Sequence, residues 1–453
     1  MKKYEQYKRL IMFMLGLLMV VVLGLAYGYV WHTHYLYLVV YPFLGKGNLL
    51  VIAIYMILLA FFLQVYSGFK FGYLKFGDIL LSQILSIIIT NFITYLQISL
   101  IGRALLNITP MLVLTVADIF IAAIWSYIAS LIYHKMYPPH NTLMIYGSKM
   151  ADSLERKMRK RSDKYQIKDV VDVNVGLNRL EKMMEDYDAV LICDVKTEMR
   201  NKILKFCFDK SIRTYITPKI SDIIVRRADD IHLFDTPLLL CRNTGLSFEQ
   251  RVVKRIMDLV ISVVILVVTS PLLLLTAIAI KVCDGGPVFF KQKRCTINGK
   301  VFEILKFRSM IVDAEKPGMV IPAKDRDPRI TPVGRIIRAT RIDELPQLIN
   351  VLKGEMSIVG PRPERIEHVA KYSEEIPEFS YRLKVKGGLT GYAQVMGKYN
   401  TTAYDKLKLD LMYIENYSIA LDIKLLLMTI KIVFSKESTE GFEETDDENK
   451  GKE

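Results

Sequence analysis

Cysteine is scarce in this 453-residue chain. The five present, Cys193, Cys207, Cys241, Cys283 and Cys295, are odd in number, and none stands in a short pair of the kind that binds zinc or does redox chemistry. That excludes a disulfide scaffold and reads as reduced, mostly core thiols in a cytosolic setting. The six histidines, His32, His34, His134, His140, His232 and His368, show neither metal-ligand spacing nor a neighbouring nucleophile pattern. Glycine (25) and proline (16) are too few and too irregular for a collagen-like or low-complexity chain.

Apolar residues are abundant: 51% of the chain is hydrophobic and 24% charged, too apolar on average for one ordinary soluble domain. The length suggests two or three folding units. Four runs near residues 10–31, 48–66, 79–102 and 111–133 each carry about twenty residues almost without charge, enough to cross a hydrocarbon core ~30 Å thick. The first run is long, lacks a small-residue cleavage site and is followed by three more, so it reads as a retained helix, not a signal peptide. Lys2, Lys3, Lys8 and Arg9 precede it, Lys70 and Lys75 lie between the second and third runs, and Lys135 follows the fourth. The other loops offer only Lys46 and Arg103. The positive-inside rule then puts the N-terminus, the middle loop and everything after residue 134 in the cytosol. Asp118 falls inside the fourth run, where it is costly unless it pairs with a neighbouring helix or lines a polar path; with no acid or base motif around it, the structural role is favoured.

Beyond Pro138-Pro139, short apolar runs alternate with polar helical stretches. Leu143 to Tyr146, Ala189 to Val195 and Arg213 to Thr217 read as buried strands of a small parallel, Rossmann-like α/β domain. Only Gly147 stands where a phosphate-cradling turn needs three glycines, so a scaffold or regulatory role is favoured over nucleotide binding. From Met257 to Ile280 the chain is again apolar, except for Asp258 at its edge and Ser270-Pro271 at its middle. Lys281, Lys291, Lys293, Arg294, Lys300, Lys306 and Arg308 follow. A crossing would put that charge outside, so a re-entrant helix–break–helix is expected, with Pro271 breaking the helix and Ser270 satisfying a freed carbonyl. A fifth span kinked at Pro271 is the alternative.

The densest chemistry lies between residues 284 and 434. Asp343 and Glu344 sit adjacent at a helix start, with Pro346 tolerated in the first turn. A helix cap and a first-turn charge would explain a lone pair of acids. Here Arg335, Arg338 and Arg341 precede the pair, Lys306-Phe307-Arg308 adds a second basic cluster, and Pro361 and Pro363 hold Arg362 between them. Cationic forks gathered around two carboxylates suit a divalent cation and a diphosphate.

Several motifs then occur together and in order: Gly286-Pro287-Val288-Phe289-Phe290, Lys306-Phe307-Arg308-Ser309-Met310, Asp343-Glu344-Leu345-Pro346-Gln347-Leu348, Asn350 through Gly354, Ser357-Ile358-Val359-Gly360-Pro361-Arg362-Pro363 and Gly388-Leu389-Thr390-Gly391. Over roughly residues 250–435 the chain resembles the bacterial sugar transferases, polyprenyl-phosphate phosphoglycosyl transferases with a single re-entrant membrane helix. The apolar N-terminal third and the middle domain resemble the long members that start exopolysaccharide or capsule repeat units. The resemblance implies that Asp343 is the nucleophile on the sugar-bearing phosphorus of a UDP-sugar (UDP-glucose or UDP-galactose by analogy), expelling UMP. Glu344, with Asp343, would hold Mg²⁺, and Lys306, Arg308, Arg338 and Arg362 would contact substrate. Undecaprenyl phosphate would take the phosphosugar from Asp343. Ser270 and Pro271 match the family's helix break. Departures at Cys295 to Gly299, Tyr392 and Met396 lie away from the dyad and bear on the choice of sugar.

The reading is therefore a membrane protein, α plus α/β, of the bacterial plasma membrane, multi-pass with a cytosolic catalytic domain. Residues 1–137 form four transmembrane helices, 138–245 the Rossmann-like domain, 246–435 the re-entrant helix and catalytic domain, and 436–453 an acidic tail without a core to join. Leu421 to Phe434 fits an interfacial amphipathic helix or, nearly as well, a core helix. The net charge of +14 suits an anionic leaflet and anionic substrates. Four spans and the absence of any groove-reading motif exclude nucleic acid as a partner. A homo-oligomer and polysaccharide-assembly proteins are further expected partners. The rival from another class is a catalytically silent scaffold for such proteins, and within the enzyme reading, a one-step transfer in which Asp343 serves only the metal.

Overall fold

The computed structural model describes residues 5–38, 46–148, 151–233, 235–241, 245–312, 314, 327–397 and 401–433. Two compact units divide between Thr217 and Pro218.

The first unit opens with four long helices, α1 (Lys8–Val30), α2 (Lys46–Val65), α3 (Phe76–Ile101) and α4 (Thr109–Met136). Each belongs to a helical segment long and apolar enough to cross a membrane. Their packing is inverted relative to a water-soluble bundle. Phe13, Leu25, Ile57, Phe92 and Phe120 point outward, while Ser82, Gln83, Ser86, Thr90, Asn91, Asp118 and Ser126 are buried. The interior polar groups answer one another: Tyr55 Oη and Asn91 Nδ2 each lie 3.2 Å from Asp118 Oδ2, and Ser126 Oγ donates to Gln83 Oε1 at 2.6 Å. Asp118 therefore pairs with neighbouring helices, as its cost in an apolar setting requires.

A parallel sheet follows in the order β2-β1-β3-β4, formed by β1 (His140–Tyr146), β2 (Tyr165–Asp172), β3 (Ala189–Cys193) and β4 (Arg213–Ile216). Helices α5 (Ala151–Arg159), α6 (Leu177–Met184) and α7 (Thr197–Asp209) connect the strands. The three strands read from sequence are present, β1 and β3 buried as expected and β4, at the sheet edge opposite β2, only half-buried. β2 is the addition, an edge strand whose only buried residue is Ile167, so its sequence carries little apolar signal. Gly147 has a packing reason: a Cβ there would lie 2.6 Å from the carbonyl oxygen of Asp194. The α/β part is tied to the helices by Glu5, which pairs with His140 and Arg213, and by Arg161 Nη2 donating to the Tyr73 carbonyl at 2.9 Å.

The second unit contains α8 (Ile220–Val225), the hairpin β5 (Asp229–Leu233) and β6 (Thr236–Leu240), α9 (Phe248–Asp284), and the antiparallel pair β7 (Phe289–Cys295) and β8 (Val301–Phe307). Then come α10 (Pro332–Ala339), α11 (Gln347–Lys353), β9 (Ser357–Val359), α12 (Ile366–Glu375), β10 (Gly388–Thr390), α13 (Tyr392–Met396), α14 (Ala403–Glu415) and α15 (Ile419–Val433). β10 runs parallel to β9. Residues 218–245, assigned from sequence to the middle domain, lie in this unit, because Ile220 and Ile223 are buried in a core with Val351, Leu407, Leu411 and Tyr413.

The expected helix–break–helix takes a different form. α9 is a single helix of 37 residues with Pro271 inside it. Proline leaves the carbonyl four residues earlier without its donor. That carbonyl belongs to Val267, and Ser270 Oγ donates to it at 2.8 Å, so no unwound residue is needed. Both ends of α9 are anchored within the second unit. Near its start, Lys254 Nζ pairs with Asp422 at 2.6 Å, Asp258 accepts from Ser357 Oγ and the Ile358 amide, and Arg255 donates to the carbonyls of Val351 and Leu352. Near its end, Ile280 packs with Phe307 and Ile337, and Asp284 pairs with Arg308. Between the anchors, Val263, Val264, Val267, Val268, Leu272, Leu274 and Leu275 are exposed.

The C-terminal helix α15 packs one face on the core and leaves Ile419, Ile423 and Ile430 exposed on the other. Asp422 and Leu425 are fully buried, and Thr429 bonds to Thr390. The acidic stretch 436–453 and Phe434 lie outside the described residues.

Candidate active site

Asp343 and Glu344 lie on a short 3-10 turn, Ile342–Glu344, between α10 and α11. The chain enters it through Arg341, whose φ of 55° and ψ of 19° put a non-glycine residue in the left-handed region. Such a conformation costs energy unless the surroundings hold it. Here the flanking helices do so, α10 capped by Thr331 and carrying Pro332 in its first turn, α11 entered through Pro346 and closed by Gly354. Two helix ends are thereby turned so that the acids face the strand β8.

The two acids have opposite environments. Glu344 Oε1 takes Lys306 Nζ at 3.0 Å and Arg362 Nη2 at 2.6 Å. Burial alone would raise its carboxyl, but Arg362 and Lys306 together outweigh that and hold it well below the usual range. Asp343 receives no hydrogen bond or ion pair from any of the described residues. Burial, with the Glu344 charge beside it, pushes its carboxyl up to about 6, against the pull of Lys306, Arg338 and Arg362. Two carboxylates whose surroundings drive them apart have divided roles: one is a fixed anion, the other a group free to react. Burial lowers Lys306 below an ordinary lysine despite Glu344, while the Glu344 charge raises Arg362.

Arg362 is placed by its backbone. The Pro361 carbonyl accepts from the Gly388 amide at 2.8 Å, the Arg362 carbonyl from Arg382 Nη2 at 2.9 Å, and the Pro363 carbonyl from Arg294 Nη1 at 3.0 Å. Gly360 and Gly388 touch backbone to backbone; a Cβ on Gly360 would lie 2.5 Å from the Lys386 carbonyl oxygen. Arg382 is itself buried and paired with buried Asp410 at 2.7 Å. Glu364, joined to Lys406, Arg382 and His368, is held below the ordinary range because those partners outweigh its burial.

A family model for bacterial sugar transferases matches residues 249–436. The uncharacterized sugar transferase EpsL of Bacillus subtilis is 40% identical over 186 residues, which are 41% of this chain and 89% of that protein. The chain belongs to the bacterial sugar transferases. Two further relatives carry functional names. The UDP-N-acetylgalactosamine-undecaprenyl-phosphate N-acetylgalactosaminephosphotransferase of Aeromonas hydrophila is 38% identical over 257 residues, 55% of this chain and 59% of that one. The UDP-glucose:undecaprenyl-phosphate glucose-1-phosphate transferase of Escherichia coli K12 is 36% identical over 269 residues, 57% and 58% of the two chains. The chain thus spans a little over half the length of these two relatives.

Within this sugar transferase, Lys306, Arg338 and Arg362 act on the dyad, while Arg308 pairs with Asp284 at the end of α9. Ser270 and Pro271 belong to α9. Arg382, Asp410 and Arg294, which hold the Arg362 segment, were not singled out from sequence. A signal was present for Asp410, which shares the buried face of α14 with Leu407, Leu411 and Ile414. An acid in an apolar stripe announces a buried partner. Among the described residues no group of three or more His, Cys, Asp or Glu could hold a metal. Asp343 and Glu344 are the carboxylates available at the dyad, and Glu344 keeps its second oxygen clear of the described residues. Two carboxylates fit Mg²⁺, which commonly takes one or two from protein and fills its shell with phosphate oxygens and water.

Proposed function

We propose that the chain transfers a sugar 1-phosphate from a UDP-sugar to undecaprenyl phosphate, initiating an exopolysaccharide or capsule repeat unit. The observation that carries this is the division of the dyad: Glu344 locked by Lys306 and Arg362, Asp343 unpaired beside the same cations.

In the first step an Asp343 carboxylate oxygen attacks the sugar-bearing phosphorus. A phosphorus–oxygen bond forms to Asp343, the bridging bond to the nucleoside monophosphate breaks, and UMP leaves with that electron pair. In the second, a phosphate oxygen of undecaprenyl phosphate attacks the same phosphorus, and Asp343 leaves as the carboxylate. Splitting the transfer lets a water-soluble donor and a lipid acceptor meet the nucleophile in turn. Lys306, Arg338 and Arg362 neutralise the diphosphate and orient it, which is most of what phosphoryl transfer asks of a protein. Glu344 keeps Lys306 and Arg362 in place. Mg²⁺, held by Asp343 and Glu344, would supply charge neutralisation to the diphosphate.

The four N-terminal helices are proposed to be transmembrane, with the Rossmann-like sheet and the catalytic domain in the cytosol at the bacterial plasma membrane. Their apolar exterior and polar interior support the span. Lys8 lies over the rings of Tyr73, Tyr133 and Tyr137, gathering the start of α1, the α2–α3 loop and the end of α4 on one side with the basic loops. The re-entrant reading of α9 is supported by its two anchors: a helix with both ends on one domain does not place them on opposite faces of a bilayer. The two functionally named relatives act on different sugars, so the donor sugar of this chain is a matter for assay.

The test is UMP release by full-length protein with undecaprenyl phosphate, Mg²⁺ and a panel of UDP-sugars, for wild type, Asp343→Asn and Glu344→Gln. Release from one sugar, lost in both variants, supports the reading. Mass spectrometry after incubation with the nucleotide sugar alone must find a phosphosugar on Asp343; turnover without that adduct overturns the two-step route.

A further inference from the structure

The stretch Asn350 through Gly354 has no part in the transfer chemistry described so far. Asn350 is buried, 3% exposed, on α11, and its side-chain amide reaches across to β8. Oδ1 accepts from the Leu305 amide at 2.9 Å, and Nδ2 donates to the Glu303 carbonyl at 2.8 Å and to Glu355 Oε2 at 2.6 Å. Both amide hydrogens are thereby spent, and no other side chain of this length offers an acceptor and two donors in one plane. β8 belongs to a two-stranded sheet with β7, so among the described residues its far edge has no strand beside it, and the Asn350 amide takes the place of one. Gly354 makes the third bond possible. At a φ of 84° it turns the chain back at the end of α11 and brings Glu355 to Asn350, whose carbonyl also accepts from the Glu355 amide at 3.0 Å.

We propose that Asn350 is a positioning residue for the transfer: its amide fixes the strand that carries Lys306 against the helix that follows Glu344, and so sets the Lys306–Glu344 pair that the donor diphosphate meets. This rests on the transferase reading above. The amide grips residues 303 and 305, and Lys306 is the next residue of β8. On the other side, α11 begins three residues after Glu344, behind Leu345 and Pro346. The two elements that the amide joins therefore carry the two partners of the 3.0 Å contact between Lys306 Nζ and Glu344 Oε1. Side chains alternate along a strand, so Lys306 shares its face of β8 with Phe302 and Ile304, which lie in one core with Val351 of α11. Apolar packing of that kind is non-directional and tolerates sliding. Hydrogen bonds to three named groups do not, and a slip of one residue would turn Lys306 to the opposite face.

Neutral variants test this without placing a new charge near the dyad. In full-length protein in nanodiscs, Asn350→Leu removes the grip and keeps the volume, and Asn350→Ser is the milder form should the first fail to fold. Ile223→Ala, on α8 in the same core, lowers stability without touching the grip. Asp343 feels Glu344 from its own turn, Lys306 from β8, Arg338 from α10 and Arg362 from the segment after β9, and of these only Lys306 is on the strand that the amide holds. Its displacement raises the Asp343 carboxyl, so in either Asn350 variant the acid limb of UMP release is expected to move up by about half a pH unit or more. With it kcat falls about tenfold, while the KM for undecaprenyl phosphate stays within about threefold. Ile223→Ala should leave the limb in place. A limb that does not move in the Asn350 variants, or that moves equally in Ile223→Ala, marks a merely structural residue and overturns the proposal. If wild type releases no UMP from any donor, the transferase reading has failed by itself. The positioning is then read from thermal unfolding, where Asp343→Asn must raise the melting temperature more in the Asn350→Ser background than in wild type; equal gains overturn it.

Discussion

Asp343→Asn is expected to abolish turnover and make the protein more stable. In the fold its carboxyl titrates at about 6 against an ordinary 3.8, so the folded state holds that proton more tightly than the unfolded chain does. The carboxylate form therefore opposes folding: stability from this group is full below the ordinary value and is lost as pH rises through 6. A displacement of about two units is worth about 3 kcal/mol at neutral pH, an upper figure because the side chain keeps some solvent contact. At pH ~5 roughly half of that remains. Asparagine lacks the charge and escapes the penalty. Thermal unfolding of purified wild type and variant, in chelator and without nucleotide, at pH ~8 and ~5, reads the effect directly. The variant should melt higher at both, with the larger gain at the higher pH. A lower melting temperature at pH ~8, or a gain that does not shrink on acidification, would refute the electrostatic account of the dyad.

Lys254→Met should strand Asp422 in the core at a cost of about 3–5 kcal/mol, and Lys254→Met with Asp422→Leu should recover most of it; urea denaturation of the pair decides. Gly388→Ala drives a methyl into the Gly360 backbone and should cost about 1–3 kcal/mol or more while depressing activity through Arg362, so wild-type activity and stability in this variant would count against the close contact. Ser270→Ala removes the donor to the Val267 carbonyl and should cost about 1 kcal/mol, seen as a lower melting temperature in lipid that Ser270→Thr restores. The acid limb of UMP release should follow the Asp343 carboxyl near 6 and move to lower pH in any residual activity of Glu344→Gln, since a like charge is gone; no movement would mean that Glu344 does not act on Asp343.

The four long helices and the strands β1, β3 and β4 were legible because their signals are local: about twenty apolar residues in a row, or short apolar runs between polar helices. The dyad and its cations were legible because charged residues clustered around two acids admit few other uses. What escaped was set by tertiary contact. β2 has the polarity of a sheet edge, and α8 reads like part of the domain before it while packing on α14. Arg308 sits two residues from Lys306 in sequence and would serve the same group on that evidence. Only the fold shows one turned to Glu344 and the other to Asp284. At Pro271 the freed carbonyl and its Ser270 partner were legible from the sequence; what was not legible is that meeting this carbonyl lets the helix run on unbroken.

The double anchoring of α9 fixes more than its depth. Its two attachment faces, Lys254 with Asp258 at one end and Ile280 with Asp284 at the other, must keep a set angular phase about the helix axis. Each residue added or removed between them turns one face by about 100° relative to the other. A change of one to three residues would turn an anchor away from its partner, whereas seven residues nearly restore the phase, leaving about 20° of error. Seven residues would also lengthen the stretch between the anchors by about 10 Å, and both anchors belong to one unit, so phase and length together hold α9 to its present residue count between Lys254 and Asp284.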